Sequence, residues 1–168
     1  MNYTVIVPFY NEEKNVSRFN EGLIKNLKKN DNSKRVFEII YVDDGSSDAT
    51  FQELKKLNSN SIKTLLIKHR SNLSQSAALN SGISHSSYEN IIIMDGDLQN
   101  DPEDLIKMIE EYEKGTDMVI GWRQDRKDSF FSKTLPSVIA NFVVRFFSKS
   151  KVHDQGCALK IFKKETID

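Results

Sequence analysis

The feature that most constrains this chain is an alternation of two hydrophobic patterns. Short apolar runs rich in Val and Ile occupy residues 3–7, 37–42, 62–67, 90–94 and 117–121. Such runs are too short for buried helices and read as strands covered on both faces, the environment of a parallel sheet. Between them, polar segments with helical spacing span residues 12–29, 48–58, 74–84 and 102–114. The resulting βαβα order predicts an α/β chain with a mostly parallel sheet and helices packed over it. Local chemistry marks the boundaries: Ser47 or Asp48 can cap the second helix, Asp101 can cap the fourth with Pro102 in its first turn, and Gly115 can end it.

A chain of 168 residues with 38% hydrophobic content can bury one core, so residues 1–168 are expected to form a single domain. No repeat or linker divides it, and the polar residues 28–35 read as a surface loop. The 24 basic and 24 acidic residues cancel, so no overall field draws the protein to nucleic acid and any electrostatic site must be local. Cys157 is the only cysteine, which excludes an internal disulfide framework and suits a reducing, cytoplasmic setting. The chain as given has neither a signal-peptide pattern nor the roughly 18 apolar residues of a membrane span.

Open parallel sheets bind ligands beyond the carboxyl ends of their strands. Reading just past each run yields Pro8, Phe9, Tyr10, Asn11 and Glu12 after the first, and Asp43, Asp44, Gly45 and Ser46 after the second. The fourth is followed by Asp95, Gly96, Asp97, Leu98 and Gln99, and the fifth by Trp122 and Arg123. Asp95 and Asp97 stand at i and i+2, which in extended backbone puts both carboxylates on one side. Two such charges resist joint ionisation unless a cation lies between them. Oxygen ligands select Mg²⁺ or Mn²⁺, ions that keep substrate phosphate in their remaining positions, so a diphosphate is the expected guest. An isolated D-G-D is as often a solvated turn; its surroundings decide.

Residues 95–103, Asp-Gly-Asp-Leu-Gln-Asn-Asp-Pro-Glu, resemble the D-x-D-L-Q-x-x-P-E segment of family-two glycosyltransferases of the polyprenyl-phosphate and dolichyl-phosphate type. Three further segments match in order and spacing: residues 7–12, VPFYNE; residues 42–50, VDDGSSDAT; and residues 70–82, RSNLSQSAALNSG. The resemblance runs from Thr4 to about Lys164 and implies a GT-A, Rossmann-like three-layer sandwich with helices on both faces of a mostly parallel sheet. Two departures are Ser74, where the family often has Gly, and Gly96, where alanine is common. Family members normally continue into an amphipathic segment and often into membrane helices, so the 168 residues are expected to be a fragment or a compact relative.

By this resemblance Pro8, Tyr10 and Glu12 line the base and ribose pocket, and Asp44 bonds the nucleoside. An aromatic face and an ionised carboxylate are suited to those tasks. Asp43 is either a second nucleoside contact or a turn former bonding the backbone after it. The expected reaction is inverting transfer from a nucleoside-diphosphate sugar to a lipid-phosphate acceptor. Asp95 and Asp97 hold the metal with Gln99 beside it, Gly96 lets the donor approach, and leaving-group stabilisation is the main task. Arg123, and with less claim Arg126 in the following basic loop, meet the phosphates. Asp154 serves as general base or, for an acceptor already ionised, as a positioning group. His153 and Cys157 read as structural. The apolar segment 130–148, with Lys133 and Arg145 among its aromatics, reads equally as a core helix or as an amphipathic helix at a membrane interface, with a partner subunit as a further neighbour. The protein is therefore expected in the cytoplasm, peripheral at the cytoplasmic face of a membrane. The alternatives are a transferase acting on a glycan or another acceptor, and a nucleotide-sugar-binding module without full activity; a phosphoryl-transfer receiver domain explains neither VPFYNE nor the DLQ segment.

Overall fold

The computed structural model describes residues 1–29, 34–57, 62–97, 102–121 and 157–166, the first two residues of 102–121 by backbone alone. Its elements are β1 (Asn2–Phe9), α1 (Val16–Lys29), β2 (Val36–Asp43), α2 (Thr50–Lys56), β3 (Lys63–Lys68), α3 (Gln75–Ser84), β4 (Asn90–Ile93), α4 (Pro102–Tyr112), β5 (Met118–Ile120) and β6 (Lys160–Lys163). They form a 6-stranded sheet in the order β3-β2-β1-β4-β6-β5. β1 pairs parallel with β2 and β4, and β2 with β3, whereas β6 runs antiparallel between β4 and β5.

The strands bury alternate residues against opposite helical layers, as the two-residue period of a strand requires. Tyr3, Val5, Val7 and Phe9 of β1, Phe37, Ile39 and Tyr41 of β2, and Ile92 of β4 pack with Phe19, Leu23 and Leu27 of α1, Leu54 of α2 and Leu105 and Ile109 of α4. Ile6, Ile40, Val42, Ile91 and Ile93 point the other way, toward Ala78 of α3. Each fully buried aliphatic side chain contributes about 1.5–3 kcal/mol of transfer free energy, so this double coverage holds the central strands in register. Helix α3 comes unusually close: a Cβ at Gly82 would stand 2.4 Å from Cγ2 of Ile6. The outcome is an α/β/α sandwich with helices on both faces.

Four details differ from the sequence expectations. β3 is an edge strand that leaves Lys63, Leu65 and Lys68 exposed, and Met118 of the opposite edge strand β5 is exposed as well, so these two runs are not covered on both faces. β6 carries no clear strand signal in the sequence, because its apolar content is only Ile161 and Phe162 between lysines. Helix α1 begins at Val16 rather than near Glu12, since residues 11–15 make a turn in which the Glu12 carbonyl accepts the Asn15 N–H at 2.9 Å. Helix α2 begins at Thr50 with Ala49, not Ser47 or Asp48, at the cap position; the Asp48 carboxylate instead accepts the Thr50 N–H at 2.9 Å from one residue further out. Pro102 opens α4, and Gly115, at φ 99°, donates its N–H to the Tyr112 carbonyl where that helix ends. Asp101 lies outside the described residues.

Candidate functional site

The order β3-β2-β1-β4 places a topological switch point between β1 and β4, since the chain leaves β1 toward β2 on one side and returns as β4 on the other. Ligand crevices form at the carboxyl ends of strands at such points. A cleft of about 260 Å³ opens there, lined by Pro8 and Phe9 at the end of β1, Tyr10 and Glu12 beyond it, Asp44 after β2, Asn72 and Ser74 just before α3, Gln75 at its start, and Asp95, Gly96 and Asp97 after β4. The two apolar strand ends thus deliver acidic and aromatic groups to one hollow.

Asp44 stands on the first wall, 3% exposed. Its Oδ1 accepts a hydrogen bond from the Leu73 N–H at 3.0 Å and lies 2.7 Å from Nδ1 of His69; its Oδ2 accepts the Ser74 N–H at 3.0 Å. Burial opposes the charge and is the largest single influence on it, but the donors from His69, Leu73 and Ser74 together outweigh burial and hold the carboxyl below its ordinary value. The backbone pays locally for this grip: Ser74 takes φ 116°, a left-handed value that favours glycine, while its Oγ caps α3 by accepting the Ala77 N–H. Gly45, at φ 71°, is forced by approach as well as by dihedral, because a Cβ there would stand 2.2 Å from the Ser71 carbonyl carbon.

Tyr10 and Glu12 owe their places to a clasp between the β1–α1 and β2–α2 loops. Asn11, at φ 54°, donates its N–H to Ser46 Oγ at 3.0 Å and accepts the Ser47 N–H on Oδ1 at 2.9 Å. The Glu12 N–H donates to Thr50 Oγ1 at 2.8 Å, and the Glu13 carboxylate accepts the Ala49 N–H at 3.0 Å. Tyr10 is left with its ring exposed at the mouth, and the Glu12 carboxylate accepts the Asn15 side-chain amide at 2.5 Å.

Asp95 and Asp97 form the other wall, each partly accessible. Gln75 Nε2 donates to Asp95 Oδ1 at 2.6 Å, tying the first turn of α3 to this wall. Between the two carboxylates, Gly96 lies against the Phe9 ring; a Cβ would meet Cε1 at 2.3 Å. The bulk of Phe9 beneath the strand end leaves no room for a Cβ at this position unless the ring shifts. Among the described residues no group of three or more His, Cys, Asp and Glu side chains could hold an ion unaided. A pair of carboxylates on an accessible wall nonetheless fits a hard cation that completes its shell with phosphate oxygens and water, as Mg²⁺ and Mn²⁺ do.

Of the residues singled out in the sequence, Pro8, Tyr10, Glu12, Asp44, Asp95, Gly96 and Asp97 meet in this cleft. Asp43 is fully buried and is not part of the lining: Oδ1 accepts the Ser46 N–H at 3.2 Å, and Oδ2 has no partner among the described residues. Gln99, Arg123, Arg126, Asp154 and the segment 130–148 lie outside the described residues. His69, Asn72 and Gln75 were missed. His69 lies two positions past the third apolar run, so the rule applied to the other strand ends finds it; Asn72 and Gln75 stand inside the segment RSNLSQSAALNSG, whose match assigns neither of them a role.

The sequence profile described as glycosyl transferase family 2 matches residues 4–168. The chain is 36% identical over 166 residues to a dodecaprenyl-phosphate galacturonate synthase of Rhizobium johnstonii, covering 98% of this chain and 48% of that protein. It is 31% identical over 168 residues to an undecaprenyl-phosphate 4-deoxy-4-formamido-L-arabinose transferase of Proteus mirabilis, covering 98% and 50%. The chain therefore spans about half the length of these relatives. Among solved structures, a mannosyltransferase from Pyrobaculum calidifontis in complex with GDP-Man and Mn²⁺ superposes with a TM-score of 0.63 at 22% identity, over 98% of this chain and 45% of that one. A glucosyl-3-phosphoglycerate synthase from Mycobacterium tuberculosis in complex with UDP gives a TM-score of 0.70 at 16% identity, over 98% and 57%. At these identities the likeness concerns the fold, which is GT-A. With the whole described sheet, the cleft at its switch point and a profile match over almost every residue in agreement, the chain belongs to glycosyl transferase family 2.

Proposed function

We propose that this chain is the single catalytic domain of an inverting glycosyltransferase that moves a sugar from a nucleoside-diphosphate sugar to a polyprenyl phosphate at a membrane surface. The observation that carries the reading is one cleft with two acidic walls, Asp44 on one and Asp95 with Asp97 on the other. The named relatives, with polyprenyl-phosphate transferases among them, support the acceptor class.

In this reading the nucleoside lies against Tyr10 and Pro8, with Glu12 and Asp44 accepting hydrogen bonds from it. Asp95 and Asp97 hold a divalent cation, Mg²⁺ or Mn²⁺, with Gln99 beside them. When bound, such an ion neutralises the charge that develops on the departing diphosphate. Arg123 and Arg126 contribute guanidinium donors to the same phosphates. The acceptor oxygen attacks the anomeric carbon from the side opposite the leaving group, the bond to the diphosphate oxygen breaks, and configuration inverts. A phosphate acceptor is largely ionised at neutral pH, its second pKa being near ~6, so Asp154 orients it more than it deprotonates it. Segment 130–148, apolar with basic residues, supports contact with a bilayer surface.

The test is transfer to a short-chain polyprenyl phosphate in detergent, assayed with UDP, GDP, ADP and dTDP sugars, in Mg²⁺, Mn²⁺ or chelator. One donor should yield an inverted glycosyl phospholipid that disappears in chelator. Product of retained configuration, or undiminished transfer by Asp97→Ala, would overturn the mechanism; transfer only to non-lipid acceptors would overturn the acceptor.

A further inference from the structure

His69 has no role in the reaction as set out above, yet it occupies a largely buried position behind the cleft with both ring nitrogens bonded. Its side chain is 9% exposed. Nδ1 lies 2.7 Å from Asp44 Oδ1, and Nε2 lies 2.8 Å from Oγ of Ser81, a residue of the second turn of α3. The His69 N–H donates to the Asp43 carbonyl at 2.9 Å, fixing the end of β3 to the end of β2. An ionised carboxylate only accepts, so Nδ1 carries a proton and donates to Asp44; in the neutral ring Nε2 then accepts from the Ser81 hydroxyl. With both nitrogens engaged the imidazole cannot rotate without breaking a buried bond.

A carboxylate offers about four acceptor positions. Oδ1 of Asp44 spends two, on His69 and the Leu73 N–H, and Oδ2 spends one on the Ser74 N–H. Counting donors among the described residues, one position is left, on Oδ2, and Asp44 is part of the cleft lining. We propose that His69 is a positioning residue for nucleoside recognition: held by Ser81, it occupies Oδ1 of Asp44 so that this carboxylate presents a single acceptor to the base. The inference rests on the donor reading above and adds a selectivity device to it. A ligand with one N–H in the right place is matched. A ligand with two adjacent N–H donors would want both oxygens, and finds one already taken. Without His69, Oδ1 regains an open position beside the Leu73 N–H, so that each oxygen, still held by one backbone N–H, has one acceptor position to offer.

The experiment measures binding of UDP, CDP, ADP and GDP to the wild type, His69→Leu, His69→Gln and Ser81→Ala by calorimetry, with the thermal unfolding midpoint of each recorded. His69→Leu should weaken the diphosphate the wild type prefers by about tenfold, the scale of one buried charge-assisted hydrogen bond, and should narrow its preference over the others, GDP gaining relative to the rest. His69→Gln, whose amide N–H can reach back to Asp44, should recover part of the preference. Ser81→Ala, a mild change on a helix, should shift preference in the same direction by less and keeps the test valid if His69→Leu does not fold. Unchanged preference in folded His69→Leu or in Ser81→Ala overturns the inference alone, as does an equal loss for all four diphosphates in proportion to lost stability. Failure of the wild type to bind any of the four overturns the donor reading, and this inference with it.

Discussion

The two walls of the cleft are built on opposite plans. Asp44 is buried, and the protein itself fills most of its acceptor capacity with a histidine and two backbone N–H groups. Asp95 and Asp97 are partly open, and Gln75 reaches one of them. A recognition group gains from having its orientation fixed before the ligand arrives, because no ordering cost remains at binding. A group proposed to take up a hard cation gains from access to water and to the phosphates that complete the ion's shell. One helix supports both: α3 supplies the Ser74 N–H and Ser81 to the first wall and Gln75 to the second.

This contrast can be broken most sharply at the open wall. Asp97→Ala should lower transfer by roughly 10²–10³-fold, the usual result of removing a group that stabilises developing charge, while affinity for the free nucleoside, measured by calorimetry, stays near wild type. Comparable losses of both would show that the walls are not separate. On the closed wall, Gly45→Ala forces a side chain onto the Ser71 backbone and an L residue into a left-handed conformation. It should cost about 2–4 kcal/mol in urea unfolding, the range of severe backbone strain and overpacking. Gly96→Ala meets a side chain rather than backbone, so the cost should be smaller, about 1–3 kcal/mol. Phe9→Leu in the same chain should return part of it, and a double-mutant cycle measures the coupling.

Gln75→Ala should weaken Mn²⁺ binding in the presence of the preferred diphosphate by about tenfold, as loss of a ligand's supporting hydrogen bond does, with little effect on unfolding. Paramagnetic titration of the ion reads this without activity. The smallest effect concerns acid. The folded Asp44 carboxyl is held below its unfolded value, so its contribution to stability is complete above that unfolded value and is lost as pH falls through the folded one. The stability gap between wild type and Asp44→Asn should therefore be constant near neutrality and begin to close only below about pH 4. A gap that closed between pH 5 and 7 would contradict the bonding of this wall.

Much of the architecture is legible in the sequence. The Val and Ile runs gave β1 to β5 and their order, and the residues that follow them supplied most of the cleft. Asp44 is legible as a nucleoside contact and His69 as a strand-end residue, but their pairing is not, since nothing in KHRSN marks the carboxylate that the histidine meets 25 positions away. Helix α2 starts later than the sequence suggests because Asp48, which has the character of a cap, instead serves the clasp, accepting the Thr50 and Glu13 N–H groups.

By itself the sequence determined five of the six strands, the approximate helices between them and the chemical groups at the strand ends, because hydrophobic period and turn residues act over a few positions. Tertiary structure alone decided that β6 slips antiparallel between β4 and β5, that β3 becomes an edge, and that Asp43 is buried while Asp44 joins the cleft. Those outcomes depend on hydrogen bonds and packing between residues far apart in the chain, whose partners exist only once the sheet has closed around them.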